Sequence, residues 1–337
     1  MSSRKCLTLL LAAAASSVAL GADPVSYSDP VGFVNLGNTT GGATPAVPPN
    51  TDVRLAIPLE RPLEFSGTVE AATSSTIQVN GSPNWDANKW TPSDQTYCAI
   101  VAGGTQNGLR ALITSHSSDT LTLQVVSTGS LALVETTSKL EIRACWTIQS
   151  LFANSDVSDD CQLFVYEPTK PNINQGSEYK YIYSGGTWYL NDGISFPVSD
   201  NVILYPGESF VLRSGPNSVD HLTVFGDVPT TNLRNEISRD GPTADDNHVA
   251  SMSPVPITLG LSVIPSEDDD QIFLYDNLST GINKGTLQKL IHSGGNWYVN
   301  QDPFPLANDL ILNPGSGFIY RRATNGPSNA DWVIPAP

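Results

Sequence analysis

Apolar and polar residues alternate in short runs along most of this chain, and no apolar pattern of helical period persists beyond a turn or two. Glu64-Phe-Ser-Gly-Thr-Val-Glu70, Ser75-Thr-Ile-Gln-Val79, Thr96-Tyr-Cys-Ala-Ile-Val101, Gly108-Leu-Arg-Ala-Leu-Ile-Thr114 and Thr120-Leu-Thr-Leu-Gln-Val-Val126 alternate or run apolar between turn residues. So many short strands in so few residues predict a small barrel or sandwich. Ahead of them, Val31–Leu36 and Val53–Pro58 read as two further strands joined by a Gly/Pro/Thr-rich loop over Asn38–Asn50.

The second half of the chain repeats itself: residues 159–215 recur at 268–323. Leu163-Phe-Val-Tyr166 matches Ile272-Phe-Leu-Tyr275. At the same offset Asn174 falls on Asn283, Gly176 on Gly285 and Lys180 on Lys289. Ser184-Gly-Gly186 and Trp188-Tyr189 fall on Ser293-Gly-Gly295 and Trp297-Tyr298. After a one-residue deletion, Pro206-Gly207, Phe210 and Arg213 fall on Pro314-Gly315, Phe318 and Arg321. Within each copy, Tyr179–Tyr183 and Leu287–His292 are β-prone runs that break at Ser-Gly-Gly and resume at Trp-Tyr, the signature of a hairpin. One short helical turn is expected near Asn232–Ile237.

These runs predict an all-β protein: an N-terminal small barrel or sandwich followed by two tandem copies of a β-sandwich-like module. The expected divisions are a signal peptide at 1–21 and an N-terminal β domain at 22–145, with first strands at 31–58 and the barrel-like part at 62–145. Copy 1 follows at 146–226, then a linker at 227–254 rich in Pro, Asn and Asp, then copy 2 at 255–337.

Export is expected from Arg4-Lys5, the uncharged apolar run Cys6–Leu20 and the small residues Gly21-Ala22, the layout of a secretory signal peptide. A periplasmic or extracellular location follows, with no second apolar run suited to membrane insertion. The formal charge is −16, and −18 once Arg4 and Lys5 are removed with the signal. A field of that sign repels phosphate backbones, so nucleic acid is a poor partner. Of the three cysteines beyond the signal, Cys145 and Cys161 flank a short segment and are the candidate pair with Cys98 left over. Three unpaired thiols are the equal alternative.

Several segments together carry a resemblance: Asp29-Pro-Val-Gly-Phe-Val34, Ile57-Pro-Leu-Glu-Arg-Pro62 leading into Phe65-Ser-Gly-Thr-Val69, and Cys145-Trp-Thr147 opening the first copy. They resemble a family of uncharacterised secreted β-rich proteins from verrucomicrobial and related bacteria. The resemblance spans most of the mature chain and implies export and β architecture; the family has no assigned activity.

Candidate chemistry is sparse. None of the four histidines occupies a position shared as histidine by the two copies, His292 standing where copy 1 has Tyr183, and no nucleophile elbow, zinc-protease motif or phosphate loop occurs. No enzyme is therefore expected; a glycoside-active enzyme would need a cleft with two suitably spaced carboxylates. Acidic clusters at Asp156, Asp159 and Asp160, and at Glu267–Asp270, precede the first strand of each copy. Such loops can hold calcium, but their spacing fits neither an EF-hand nor a nonapeptide repeat, so no cofactor is assigned and charged turns are the default. The repeated pairs Trp188-Tyr189 and Trp297-Tyr298 are the candidate contacts for a ligand or partner. Neighbours on a strand face opposite ways, so one ring of each pair is expected in the core and the other outside. The resulting expectation is a secreted, non-enzymatic structural or adhesive protein of the cell envelope or extracellular matrix, with an envelope or matrix protein or a polysaccharide as partner. The alternative is a carbohydrate-binding protein that uses the repeated aromatics.

Overall fold

A half-apolar strand needs a facing layer, and this chain finds three, each with its own core. A computed structural model describes residues 30–37, 45–166, 172–239, 242–324, 326–327 and 329–337. The expected signal peptide and the start of the Asn38–Asn50 loop lie outside the described residues. The strands in chain order are β1 (Val31–Asn35), β2 (Asp52–Ala56), β3 (Leu63–Ala72), β4 (Thr76–Val79), β5 (Tyr97–Ala102), β6 (Arg110–His116), β7 (Thr120–Val125) and β8 (Lys139–Ala144). After a five-residue helix, α1 (Ile148–Phe152), come β9 (Gln162–Val165), β10 (Tyr179–Ser184), β11 (Thr187–Leu190), β12 (Ser209–Arg213), β13 (Thr223–Asp227), β14 (Leu233–Ser238) and β15 (Asp245–Ala250). The last are β16 (Ile257–Thr258), β17 (Gln271–Leu274), β18 (Gln288–Ser293), β19 (Asn296–Val299), β20 (Ile311–Leu312), β21 (Gly317–Arg322) and β22 (Asn329–Ile334).

Strands β3 to β8 close into a six-stranded antiparallel barrel in the order β3-β4-β7-β6-β5-β8. Closure pairs every edge. Its core is filled by Val69, Ile77, Val79, Trp90, Leu109, Leu121, Leu140 and Ile142. The other expected feature, the twice-used hairpin, appears in two five-stranded sheets. The first is ordered β11-β10-β9-β12-β2 and the second β19-β18-β17-β21-β15. Each is flanked by a two-stranded ribbon, β1 with β13 and β14 with β22.

This strand order corrects two expected divisions. β2 lies before the barrel in sequence yet pairs with β12, Asp52 opposite Arg213 and Ala56 opposite Ser209. It therefore belongs to the first sheet, and the barrel sits between β2 and the rest of that sheet. Residues 227–254, expected as a linker, carry β14 and β15, the latter pairing with β21 from Asp245↔Arg322 to Ala250↔Gly317. The helical turn expected near Asn232–Ile237 is strand β14, because its residues find a hydrogen-bonding partner in the distant β22. The true helix is α1, whose Thr147 and Ser150 cap each other reciprocally at its start. The three cysteines are unbridged, as in the alternative of three unpaired thiols, and the Cys145 thiol lies against that of Cys98.

A buried ionic knot holds the barrel to the β1–β13 ribbon that flanks the first sheet. Arg143 on β8, 1 % exposed, donates to Asp227 Oδ2 at 2.6 Å and to the Arg61 carbonyl at 2.7 Å, and its Nε lies 3.2 Å from Glu60 Oε2. Arg110 of β6 also pairs with Glu60. The barrel reaches the second sheet's ribbon through Arg234, which donates to the carbonyls of Asn107 at 2.8 Å and Thr105 at 2.7 Å.

Candidate functional site

The two five-stranded sheets meet along β2 and β12 of one and β15 and β21 of the other, and the contacts are reciprocal. The Ala56 N–H donates to Gly315 O at 2.9 Å, and the Ala250 N–H donates to Gly207 O at 3.0 Å. Gly317 lies so close that a Cβ there would stand 2.2 Å from that of Ser209, so this crossing requires glycine. Beside the crossing opens a cleft of about 630 Å³, within the range of small-molecule sites.

Each wall of the cleft carries the same clamp, completed from the opposite sheet. On the first sheet, Arg213 holds Asp52 in a two-pronged ion pair, Nε to Oδ1 at 2.6 Å and Nη2 to Oδ2 at 2.8 Å. Asn283, from the β17–β18 loop of the second sheet, accepts from Arg213 Nη2 at 2.7 Å while its N–H donates to Asp52 at 2.7 Å. On the second sheet, Arg321 grips Asp246 at 2.6 and 2.9 Å. Asn174, from the loop before β10, accepts from Arg321 at 3.1 Å and donates its N–H to Asp246 at 2.7 Å. Both asparagines adopt a positive φ, 56° and 51°, which their side chain tolerates better than most. The guanidinium of Arg213 covers the Phe164 ring at 4.9 Å and that of Arg321 covers Phe273 at 4.6 Å. Hydrogen bonding to Asp52 and to Asp246 pushes the two arginines up from their ordinary pKa, so both clamps stay charged.

Between the clamps the symmetry fails. Where the first sheet carries Arg54, the second carries His248, and the two meet with Arg54 Nη1 2.9 Å from His248 Nδ1. Arg54 also donates to Ser209 Oγ at 3.2 Å, and its guanidinium lies 5.2 Å from the ring centre of Tyr166 and 4.6 Å from that of Tyr275. His248 stacks on Tyr166 at 3.6 Å. Among the described residues no carboxylate pairs with Arg54, although it is only 6 % exposed. Burial, and then the Arg54 charge, depress His248 to about 2, so the imidazole is neutral at any ordinary pH. Lys284, standing where the first copy has Gln175, donates to the Asp276 and Ser279 carbonyls at 2.6 and 2.7 Å; burial pushes its ammonium down. The cleft is thus lined by four basic and two acidic side chains, in a chain of net charge −16.

The residues expected to contact a ligand lie elsewhere. Trp188 and Trp297 are 1 % and 4 % exposed: Trp188 packs on Phe152 and Tyr183, Trp297 on His292 and Tyr320. Tyr189 and Tyr298 are half-buried and bridge to Val198 and Leu306. Strand alternation sends the tryptophans into the two sheet cores, so neither offers a platform, and none of the four lines the cleft. The acidic loops also have structural work: Asp159 accepts the Gly185 N–H at 2.8 Å, and Asp268 the Gly294 N–H at 2.8 Å, pinning each hairpin. Asp270 accepts from Ala323 N at 2.6 Å. Among the described residues no group of three or more His, Cys, Asp or Glu side chains converges as a metal site would require. Nor is any helix among them long and apolar enough to cross a membrane.

No family model, curated protein or solved structure matches this chain. The cleft must therefore be read from its own chemistry. Part of it was visible as identities between the two copies: Phe164/Phe273, Tyr166/Tyr275 and Asn174/Asn283 at one offset, and Arg213/Arg321 after the one-residue deletion. Asp52 and Arg54 gave no such signal, because the barrel separates them from the copy whose sheet they complete.

Proposed function

We propose that this chain is an exported, non-enzymatic binding protein whose cleft between the two sheets holds a saccharide. The observation that carries this reading is the cleft itself: aromatic rings half-exposed at Phe164, Tyr166, Phe273 and Tyr275, flanked by amide and hydroxyl side chains at Asn174, Ser177, Asn277, Asn283 and Thr286. Aromatic rings set among short polar groups suit a sugar, whose C–H groups contact the exposed ring edges while its hydroxyls hydrogen-bond. Binding is favoured over hydrolysis because both cleft carboxylates are already committed. Asp52 and Asp246 each hold a guanidinium and a backbone N–H, which leaves neither poised to give or take a proton.

A structural or adhesive role in the envelope is supported by a different feature. The β1–β13 ribbon exposes Val31, Phe33 and Phe225, with Phe33 and Phe225 directly opposite each other. The two readings separate in a glycan-array and polysaccharide pull-down screen of the mature chain against a Tyr166→Ala/Tyr275→Ala variant whose folding is verified by its melting curve. Saccharide capture by the wild type that is lost in the folded variant supports the cleft reading. Capture unchanged in the variant, or no capture by either protein, refutes it and leaves the adhesive ribbon in front.

A further inference from the structure

Resting on the saccharide reading of the cleft, we infer that its ligand is an acidic saccharide, whose carboxylate seats against the Arg54–His248 pair. Three observations converge on that pair. First, Arg54 is a buried guanidinium without a carboxylate partner among the described residues, held only by Ser209, His248 and two tyrosine faces. Burying a charge without its counter-ion is unfavourable, and a site that tolerates it is prepared for an anion that arrives from outside.

Second, the hydrogen bonds determine which atoms remain to meet a ligand. Arginine has only donors, so His248 Nδ1 must accept from Arg54 Nη1, and the ring hydrogen therefore sits on Nε2. His248 Nε2 and Arg54 Nε are both buried and both lack a hydrogen-bond partner among the described residues. Unpartnered donors on both members of a pair that lines the cleft favour an acceptor-rich ligand beside it, and a carboxylate is such a group.

Third, the charge of the cleft opposes that of the molecule. Asp52 and Asp246 are held by Arg213 and Arg321 within the clamps, which leaves Arg54 as the lining cation with no carboxylate partner among the described residues; Lys284, on which the Asp276 and Asp52 charges act, adds a further positive charge. Both stand at positions where the two copies differ, Arg54 against His248 and Lys284 against Gln175. A strongly acidic protein with a cationic cleft concentrates anions at that cleft. The amide groups of Asn174 and Asn283 at the rim remain for sugar hydroxyls, since each uses its carbonyl oxygen on an arginine.

The test is calorimetric titration of the full mature chain with trisaccharides of galacturonate, glucuronate and mannuronate, each beside its methyl ester, with acetate as a carboxylate lacking a sugar. It is paired with NMR detection of the Arg54 Nε–H and His248 Nε2–H resonances in the wild-type protein. At least one uronate should bind at least tenfold more tightly than its ester and than acetate, weaken as salt is added, and move both side-chain resonances. Arg54→Gln should reduce that affinity at least tenfold, and the wild-type NMR readout stands even if this variant folds poorly. Esters that bind as tightly as acids would overturn the charged-ligand inference while sparing the saccharide reading. Acetate binding as tightly as the uronates would overturn the saccharide part, and no uronate or ester perturbing the cleft resonances would overturn both.

Discussion

The two walls of the cleft are built from the same parts and differ at the positions between the two clamps. Asp52, Arg213, Phe164 and Tyr166 on one side correspond to Asp246, Arg321, Phe273 and Tyr275 on the other, and each wall's clamp is completed by an asparagine from the opposite sheet. Where the walls differ, Arg54 faces His248 and Lys284 stands in place of Gln175. Shared positions do the joining: a bidentate ion pair with its remaining lone pairs satisfied is a stable, geometrically specific device. Unshared positions give the cleft its polarity, and an asymmetric ligand needs an asymmetric seat.

The strongest way to break this comparison is to remove a clamp. Asp246→Ala leaves the part-buried Arg321 and the Asn174 N–H without their acceptor, and should cost about 3–5 kcal/mol in urea unfolding. Asp52→Ala should cost less, because the Asp52 side chain is 12 % exposed against 1 % for Asp246 and water can reach what it leaves behind. Equal losses would mean that the walls differ less in burial than their geometry shows.

Acid supplies the next largest effect. The unfolded chain protonates His248 as pH falls below about 6.5, whereas the folded chain resists until about 2. The unfolded state therefore binds more protons in between: the contribution is fully present above pH 6.5 and is lost as pH falls, at about 1.4 kcal/mol per pH unit. Urea midpoints measured from pH 6.5 down to 4.5 should show this slope in the wild type and a shallower one in His248→Gln. The same slope in both proteins would place the acid sensitivity elsewhere.

Crossing of the clamps between sheets is sharpened by smaller changes. Asn174→Ala and Asn283→Ala should each cost about 1–2 kcal/mol, from a lost hydrogen bond to a charged group and an alanine forced into positive φ. Asn283→Ala should couple to Asp52→Ala by more than about 0.5 kcal/mol and be additive with Asp246→Ala. The reverse pattern would mean that each asparagine serves its own sheet. Smallest of all, Asp159→Ala and Asp268→Ala should each cost about 1 kcal/mol with no dependence on added calcium, since each frees a hairpin N–H, Asp268 lying in addition 3.8 Å from His292.

How much of this could be read from residues alone follows from what the chain makes local. Hairpins such as β10–β11 and β18–β19 announce themselves by Ser-Gly-Gly turns between alternating strands, and the barrel strands by close-spaced alternation. β14 was legible only as a weak turn because its partner, β22, is contributed by the far end of the chain. Trp188 and Trp297 drew attention as repeated aromatics, but repetition reports a shared core as readily as a shared surface, and both rings are interior. The half-buried Tyr166 and Tyr275 repeat just as faithfully. What distinguishes them is the reciprocal docking of two sheets, and that depends on β2, whose place beside β12 is hidden by the intervening barrel.

The division between joining and reading residues is tested most directly by measuring the melting temperature and the uronate affinity of Arg54→Gln together. Removing a buried cation that has no carboxylate partner among the described residues should leave the melting temperature within a few degrees of the wild type or raise it, while affinity for the acidic trisaccharide falls at least tenfold. A melting temperature that drops as far as that of Asp246→Ala, with affinity unchanged, would make Arg54 another part of the frame and contradict the account.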